Sequence, residues 1–482
     1  MSGSPYRVKS LRHVRCVVAI VCLAGAAAVS AQSAAHGDVD AMVRAFIARH
    51  RIPGAAIAVV RDGRIVKATG YGIANLELRV PATDSTVFEI GSISKQFAAE
   101  AAMLLVEEGR LRLDDSLATY LRVPPAWAGI TVRHVLSHTS GLKDWDGGPD
   151  FSYHERYTAE QYIALVNRHP PEFRPGERFA YTSAALPLLG LVIDSIAHET
   201  YEQFVERRIF APSGLHATRF KHPADVVANR SGGYEERAGV LVNGEPLRPA
   251  VIAPSGGVMS TARDMARWII ALEAGRIVKP ATLAEMEAPV RLNDASTFSA
   301  GLGWFLDTFH GHRLLLHNGS TVAGFSSVVY RWPDLRLAVV VLFNVDRSNA
   351  VNQLATRLAS AYGPPLWAGA FAERADPEPA FTSRVVAMLR AVAERRDSDL
   401  LAPNLRDASG APRTNPSFGF VGTPERVAFL DREDFGVAGL RRFGNLIRYV
   451  YRYKFVAGTR VTFFTLDVTP EGQVARWVRD ED

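Results

Sequence analysis

Apolar and polar positions along the chain follow two periods, and the change from one to the other outlines the elements. DVDAMVRAFIARHR, residues 38–51, carries apolar residues at helical spacing behind Asp38, which predicts a helix with that aspartate as its N-cap. AAIAVV and RIVKATG follow and flank Asp62-Gly63, the signature of a β-hairpin. From Ser92 to about Gly109, SISKQFAAEAAMLLVEEG is rich in helix formers and stops at a glycine. Between about Leu113 and Arg237 the pattern is mainly helix and loop. Strand patterns return in RLLLH, FSSVVYRW and LRLAVVVLFN, a meander with Pro333-Asp334 at its second turn, and Ala350 to Tyr362 then reads as a helix. A helical block thus separates an early strand pair from a late meander. The simplest closure joins those strands into one antiparallel sheet. The fold class expected is a mixed α/β (α+β) domain, an antiparallel sheet flanked by helices with an inserted all-helical lobe.

The pattern changes near Gly363, where GPPLWAGAFAERADPEPAF is rich in Pro, Gly and Ala. A domain over residues 38–363, a linker over 364–380 and a small C-terminal α+β domain over 381–482 are expected. In the last of these, a helix runs from about Thr382 to Arg395. Tyr449, Tyr451, Tyr453 and Phe455 then alternate with Arg448, Arg452 and Lys454. RVTFFTLDV returns after Ala457-Gly458, and QVARWVR adds a third strand. The aromatic face reads as core against the helix rather than as a ligand shelf.

Charge changes the picture only at the N-terminus. The chain of 482 residues is 48% hydrophobic and 22% charged with a formal charge of +5, which excludes a disordered, collagenous or polytopic membrane chain. Arg7, Lys9, Arg12 and Arg15 account for +4 of that charge, and the remaining +1 gives no reason to expect a nucleic-acid partner. The same basic stretch leads into the apolar run Cys16 to Val29, too short to span a bilayer, and Val29-Ser30-Ala31 fits a cleavage site. Residues 1–31 are therefore expected to be a signal peptide, the protein periplasmic or secreted. An uncleaved anchor is the alternative. Cys16 and Cys22 are the only cysteines and both lie in this leader, so the processed chain would hold no disulfide, cysteine nucleophile or thiolate metal site.

Ser-x-x-Lys occurs twice, at Ser92…Lys95 and Ser140…Lys143, and alone it is a weak signal. Ser92 opens a strong helix, so Lys95 lies one turn on and on the same face, beside the hydroxyl, at the end where the helix favours negative charge. Ser140 lies in HTSGLKDWDGGPD, a loop broken by glycines. A serine hydroxyl needs a base to become a nucleophile, and lysine serves as one only when burial keeps it uncharged. His134 and His138 stand four apart, a metal-ligand spacing, but no glutamate follows His134 to complete a metalloprotease motif. They are read as structural, with a zinc hydrolase as the rival to be tested. No Gly-x-Ser-x-Gly elbow, phosphate loop or dinucleotide fingerprint is present.

Six segments in order resemble the penicillin-binding proteins, class C β-lactamases and related serine hydrolases and esterases, from about Asp38 to Tyr362. FEIGSISKQFAAEAAMLLVEEGRLRLDDSLATYL is similar to that family's nucleophile segment, and ITVRHVLSHTSGL to its next signature. FRPGERFAYTS resembles its Tyr-x-Asn block, RIFAPSGLHATRF and SGGVMSTARDMARW two further segments, and LHNGSTVAGFSS the block where Lys-Thr-Gly or His-x-Gly is expected. The resemblance implies a serine hydrolase without cofactor or metal, acting on a small molecule or peptide. It implies Ser92 as nucleophile, Lys95 as the group assisting its deprotonation and Tyr181 as a second proton relay. His317 takes the place of the third block's lysine, Gly319 lets substrate approach its strand, and the backbone N–H groups of Ser92 and Ser320 form the oxyanion hole. Ser183 stands where the family usually has asparagine, so it occupies the substrate-binding position without an amide. That departure weighs against β-lactam or D-Ala-D-Ala specificity more than against hydrolysis. It also motivates the alternative of a non-catalytic or acylation-only binding protein that senses cell-wall peptides or β-lactams.

Overall fold

In a computed structural model, the residues described are 39–144, 152, 157–222, 224–245, 253–309, 311–363, 372–394, 396–406, 410–411, 425–436, 440–442, 445–458 and 460–481. The leader, the Asp38 cap and much of the linker lie outside them. The chain divides at Arg51 into two units, and the described part of the first is a helix over residues 39–49 (α1).

The second unit is built on a seven-stranded antiparallel sheet. Its strands are β1 (Gly54–Arg61), β2 (Arg64–Asn75), β3 (Val80–Pro81), β4 (Phe305–Phe309), β5 (His312–Thr321), β6 (Phe325–Trp332) and β7 (Leu337–Phe343), in the order β4-β5-β6-β7-β1-β2-β3. The early hairpin and the late meander join where β1 pairs with β7, from Ala55↔Phe343 to Arg61↔Leu337, as the closure argument expects. Asp62 and Gly63 both have positive φ, 51° and 70°, the two-residue turn that matches strand twist. Every residue of β7 is buried, and β1 is buried from Gly54 to Val60. That burial explains why both read as continuous apolar runs rather than alternating ones. Helix α4 (Ala262–Glu273) packs on β1, β2 and β7, and helix α5 (Ser348–Tyr362) on β6 and β7. Strand β4, short and half-buried, was not legible in the sequence.

The helical lobe contains α2 (Ser94–Glu107), buried from Ser94 through Leu105, and α3 (Leu186–Ala197). Their apolar residues form one core with the sheet, including Phe97, Trp268, Leu189 and Val340. No helix among the described residues is long and apolar enough to cross a membrane.

A further sheet follows, with β8 (Arg426–Asp434), β9 (Tyr449–Ala457), β10 (Arg460–Val468) and β11 (Val474–Glu481) in that order. It has four strands where three were expected. β8 escapes a periodicity reading because its second half, DRED, is charged. Helix α6 (Pro379–Ala393) lies across this sheet. Phe381 meets the Tyr451 ring at 4.7 Å, Thr382 hydrogen-bonds the Tyr453 hydroxyl at 3.0 Å, and Tyr451, Tyr453 and Phe455 are core with Val385, Met388 and Leu389. The aromatic face is thus packing surface. Strand β8 also touches the large sheet, Glu433 accepting from Thr308 Oγ1 at 3.3 Å and from the Gly311 N–H at 3.2 Å.

Candidate active site

Ser92 lies in a single 3₁₀ turn, Gly91–Ile93, immediately before α2, rather than in the first turn of the α-helix itself. The turn is fastened on three sides. The Ile90 N–H donates to the Val258 carbonyl at 3.1 Å, Ser94 Oγ donates to the Gly91 carbonyl at 2.7 Å, and Ser327 Oγ donates to the Ile90 carbonyl at 2.9 Å. Gly91 has φ 51°, and a Cβ there would stand 2.6 Å from the Ser320 carbonyl oxygen and 2.8 Å from the Ser320 nitrogen. Only glycine allows both that conformation and that approach. The Ser320 backbone is thereby brought against the turn that carries Ser92.

The packing of Gly319 itself requires glycine. A Cβ at Gly319 would stand 2.0 Å from the Ile90 carbonyl oxygen and 2.5 Å from Ser327 Oγ. The missing side chain lets β5 close onto the serine turn.

The Lys95 amine is almost fully buried and lies 3.0 Å from Ser92 Oγ, 3.2 Å from Ser183 Oγ and 2.8 Å from the Ser255 carbonyl oxygen. Ser183, though shorter than asparagine, still reaches the lysine. Ser92 is only half-buried, whereas the Lys95 amine is almost fully buried. Burial lowers the Lys95 pKa to about 7, with Asp144 opposing the shift. The Tyr181 phenol hydrogen-bonds Ser92, and its pKa is pushed above the ordinary phenol value by burial. Lys95 Nζ also lies over the Tyr181 ring, 4.9 Å from its centre.

His317 closes the other side. It is 3% exposed, and its Nδ1–H donates to the Asn318 carbonyl at 2.7 Å. Its ring stands 6.2 Å from Tyr181 and 5.3 Å from Phe305. Burial pushes its pKa down to about 3, so it is neutral and does not supply the charge of the lysine whose place it takes. The structure thus brings Ser92, Lys95, Tyr181, Ser183, His317 and the backbone of Gly319 and Ser320 into one cluster.

Three further neighbours stand around these residues: His138, read from the sequence as structural or as a zinc ligand, and Phe305 and Asp144, to which no local pattern gives a role. His138 stacks on Tyr181 at 4.5 Å between ring centres, and its Nδ1 accepts from the Thr182 N–H at 3.2 Å. Phe305, from the unread edge strand, lies 5.9 Å from the Tyr181 ring. Asp144 accepts from the Ser183 and Ala184 N–H groups at 2.8 and 2.9 Å. His134 uses its Nδ1 in the capping box of the helix Val132–Leu136 and not beside His138. Among the described residues no cluster of three or more His, Cys, Asp or Glu is placed to hold a metal ion.

A half-buried hydroxyl, a buried amine that loses its proton near neutrality and a protonated phenol together can perform acyl transfer. The profile of the family described as Beta-lactamase matches residues 39–363, and the chain belongs to that family. "Protein flp" of Staphylococcus aureus (strain MW2) is 26% identical over 320 residues, 64% of this chain and 63% of the relative, so this chain spans less than two thirds of that protein's length. "Penicillin-binding protein 4*" of Bacillus subtilis (strain 168) is 26% identical over 328 residues, covering 64% of this chain and 72% of the relative. Among solved structures, the D-amino acid amidase from Ochrobactrum anthropi SV3 is similar with a TM-score of 0.59 and 25% identity, covering 68% of this chain and 98% of that one. The octameric penicillin-binding protein homologue from Pyrococcus abyssi shares the fold with a TM-score of 0.60 at 24% identity, covering 89% of this chain and 97% of that one.

Proposed function

We propose that the protein is an exported serine hydrolase that works through an acyl-enzyme on Ser92. The family supports a serine hydrolase of the acyl-enzyme type. The observation that carries the assignment of residues is the buried Lys95 amine, 3.0 Å from the Ser92 hydroxyl, with a pKa of about 7.

Lys95 takes the Ser92 proton as Oγ bonds to the substrate's carbonyl carbon. The oxyanion is held by the N–H groups of Ser92 and Ser320. Tyr181, held protonated, is a proton donor rather than the first base. It gives its proton to the leaving group as the bond to carbon breaks and is reprotonated from the Lys95 ammonium. Water then attacks the ester, yields a proton to the same pair and restores Ser92. Substrates are small esters or amides, with β-lactams and D-amino-acid peptides or amides as the classes to be compared. Ser183 orients the acyl side. The leader carries the chain out of the cytoplasm, and the C-terminal sheet is an accessory domain.

The test is turnover of nitrocefin, a short p-nitrophenyl ester and D-amino-acid amides by the parent and by Ser92→Ala. At least one class is hydrolysed by the parent. The variant loses that activity by at least about a thousandfold. Equal turnover in the variant would overturn the assignment.

A further inference from the structure

Two stretches far apart in sequence are laid side by side beneath the site. The Ala180 N–H donates to the His138 carbonyl at 2.9 Å, Gly176 N–H to the Thr139 carbonyl at 2.8 Å, and Glu172 N–H to the Gly141 carbonyl at 2.8 Å. This pairing ends at Asp144. Its Oδ1 accepts from Ser183 N–H at 2.8 Å, from Ala184 N–H at 2.9 Å and from Thr182 Oγ1 at 3.3 Å. One carboxylate oxygen therefore gathers the turn that presents Tyr181 and Ser183 to Lys95. It also faces the lysine electrostatically.

We propose that Asp144 is a positioning residue of this site: its carboxylate fixes the Tyr181–Ser183 turn, and its charge favours the ammonium form of Lys95 against the burial that disfavours it. The inference rests on the serine hydrolase reading for its use, though not for its geometry. The other titratable groups around the amine carry no charge near neutrality. His138 and His317 are kept neutral by burial, and Tyr181 keeps its proton. Ser92, Ser183 and the Ser255 carbonyl supply dipoles only. Asp144 is the one acid among the described residues that acts on Lys95.

The sign of its effect follows. Burial removes water from the amine and favours the neutral form, whereas a nearby carboxylate favours the ammonium. Without the carboxylate, Lys95 would lose its proton at lower pH and become a weaker base. Asp144 thus keeps the amine strong enough to take the Ser92 proton, while burial keeps it free to do so near neutrality.

The experiment titrates the amine directly in full-length protein labelled with ¹³Cε-lysine, with Lys95→Met identifying the resonance. The parent is compared with Asp144→Asn, which keeps an acceptor oxygen and removes the charge, and Asp144→Glu, which keeps the charge. The expected result is a Lys95 midpoint about one pH unit lower in the Asn variant and close to the parent's in the Glu variant. An Asn midpoint that overlies the parent's would overturn the inference. Parallel labelling of the parent by a fluorophosphonate separates the two readings. A shifted midpoint without labelling at Ser92 leaves Asp144 facing Lys95 and rejects the hydrolase. Labelling at Ser92 with no shift in midpoint rejects the role of Asp144.

Discussion

At the scale of single residues, the site sets four titratable groups toward their uncharged forms. Lys95, His138 and His317 are driven there by lost hydration, and Tyr181 keeps its proton for the same reason. Only Lys95 changes state near neutral pH. As the proposed base it must be deprotonated to act, so kcat/KM should rise with pH through about 7 and fall about tenfold per unit on the acid side. A stopped-flow or plate-reader pH profile on the best substrate checks this. A limb set by His317 would lie near 3 instead. Ser183 illustrates what residue type alone conceals. Its side chain has no amide, yet the fold brings its hydroxyl within 3.2 Å of Lys95, so part of the asparagine's place is filled.

At the scale of elements, the serine turn is a junction between the helical lobe and the sheet, and β5 must lie flush against it. Gly319→Ala would drive a methyl into the Ile90 carbonyl, which stands 2.0 Å from the Cβ position. The strand must move away, and the Ser320 backbone with it. The expected outcome is a loss of about 1–3 kcal/mol in unfolding free energy, with activity down at least about 100-fold. Gly129→Ala, where a Cβ meets nothing within 4 Å, is the control and should change neither. Much at this level was legible in the sequence. The Asp62-Gly63 hairpin, the meander and α2 announce themselves through period and turn chemistry, and the closure of early strands onto late ones follows from having one core. The elements missed include β4 and β8, one short and half-buried, the other ending in charges. The parts of the site missed have a common cause. Asp144 and His138 act on residues some 40 positions away in sequence, a distance of |i−j| 39 for Asp144–Ser183 and 44 for His138–Thr182, and no local pattern encodes such pairs.

At the scale of the whole molecule, Ser92, Tyr181 and His317 meet only because the sheet closes around the inserted lobe. Stability and function are therefore linked through one core. Within it lies Glu100 on α2, fully buried and hydrogen-bonded by Trp268 Nε1 at 2.9 Å. Burial raises its pKa from 4.5 to about 8. The folded protein holds this proton where the unfolded chain has released it, so its contribution is full below about 4.5 and is lost as pH rises through about 8. Glu100→Gln, uncharged at every pH, should melt near the parent at about pH 5 and progressively above it toward about pH 9. A constant offset in calorimetry across that range would contradict the assignment. The central claim, however, is covalent. Its most direct test is the intact mass of the full-length protein after brief exposure to a penicillin or a fluorophosphonate, followed by mapping of the modified peptide. A single adduct on Ser92 that is absent from Ser92→Ala is expected. An adduct on another residue, or hydrolysis that persists in that variant without any adduct, would contradict it.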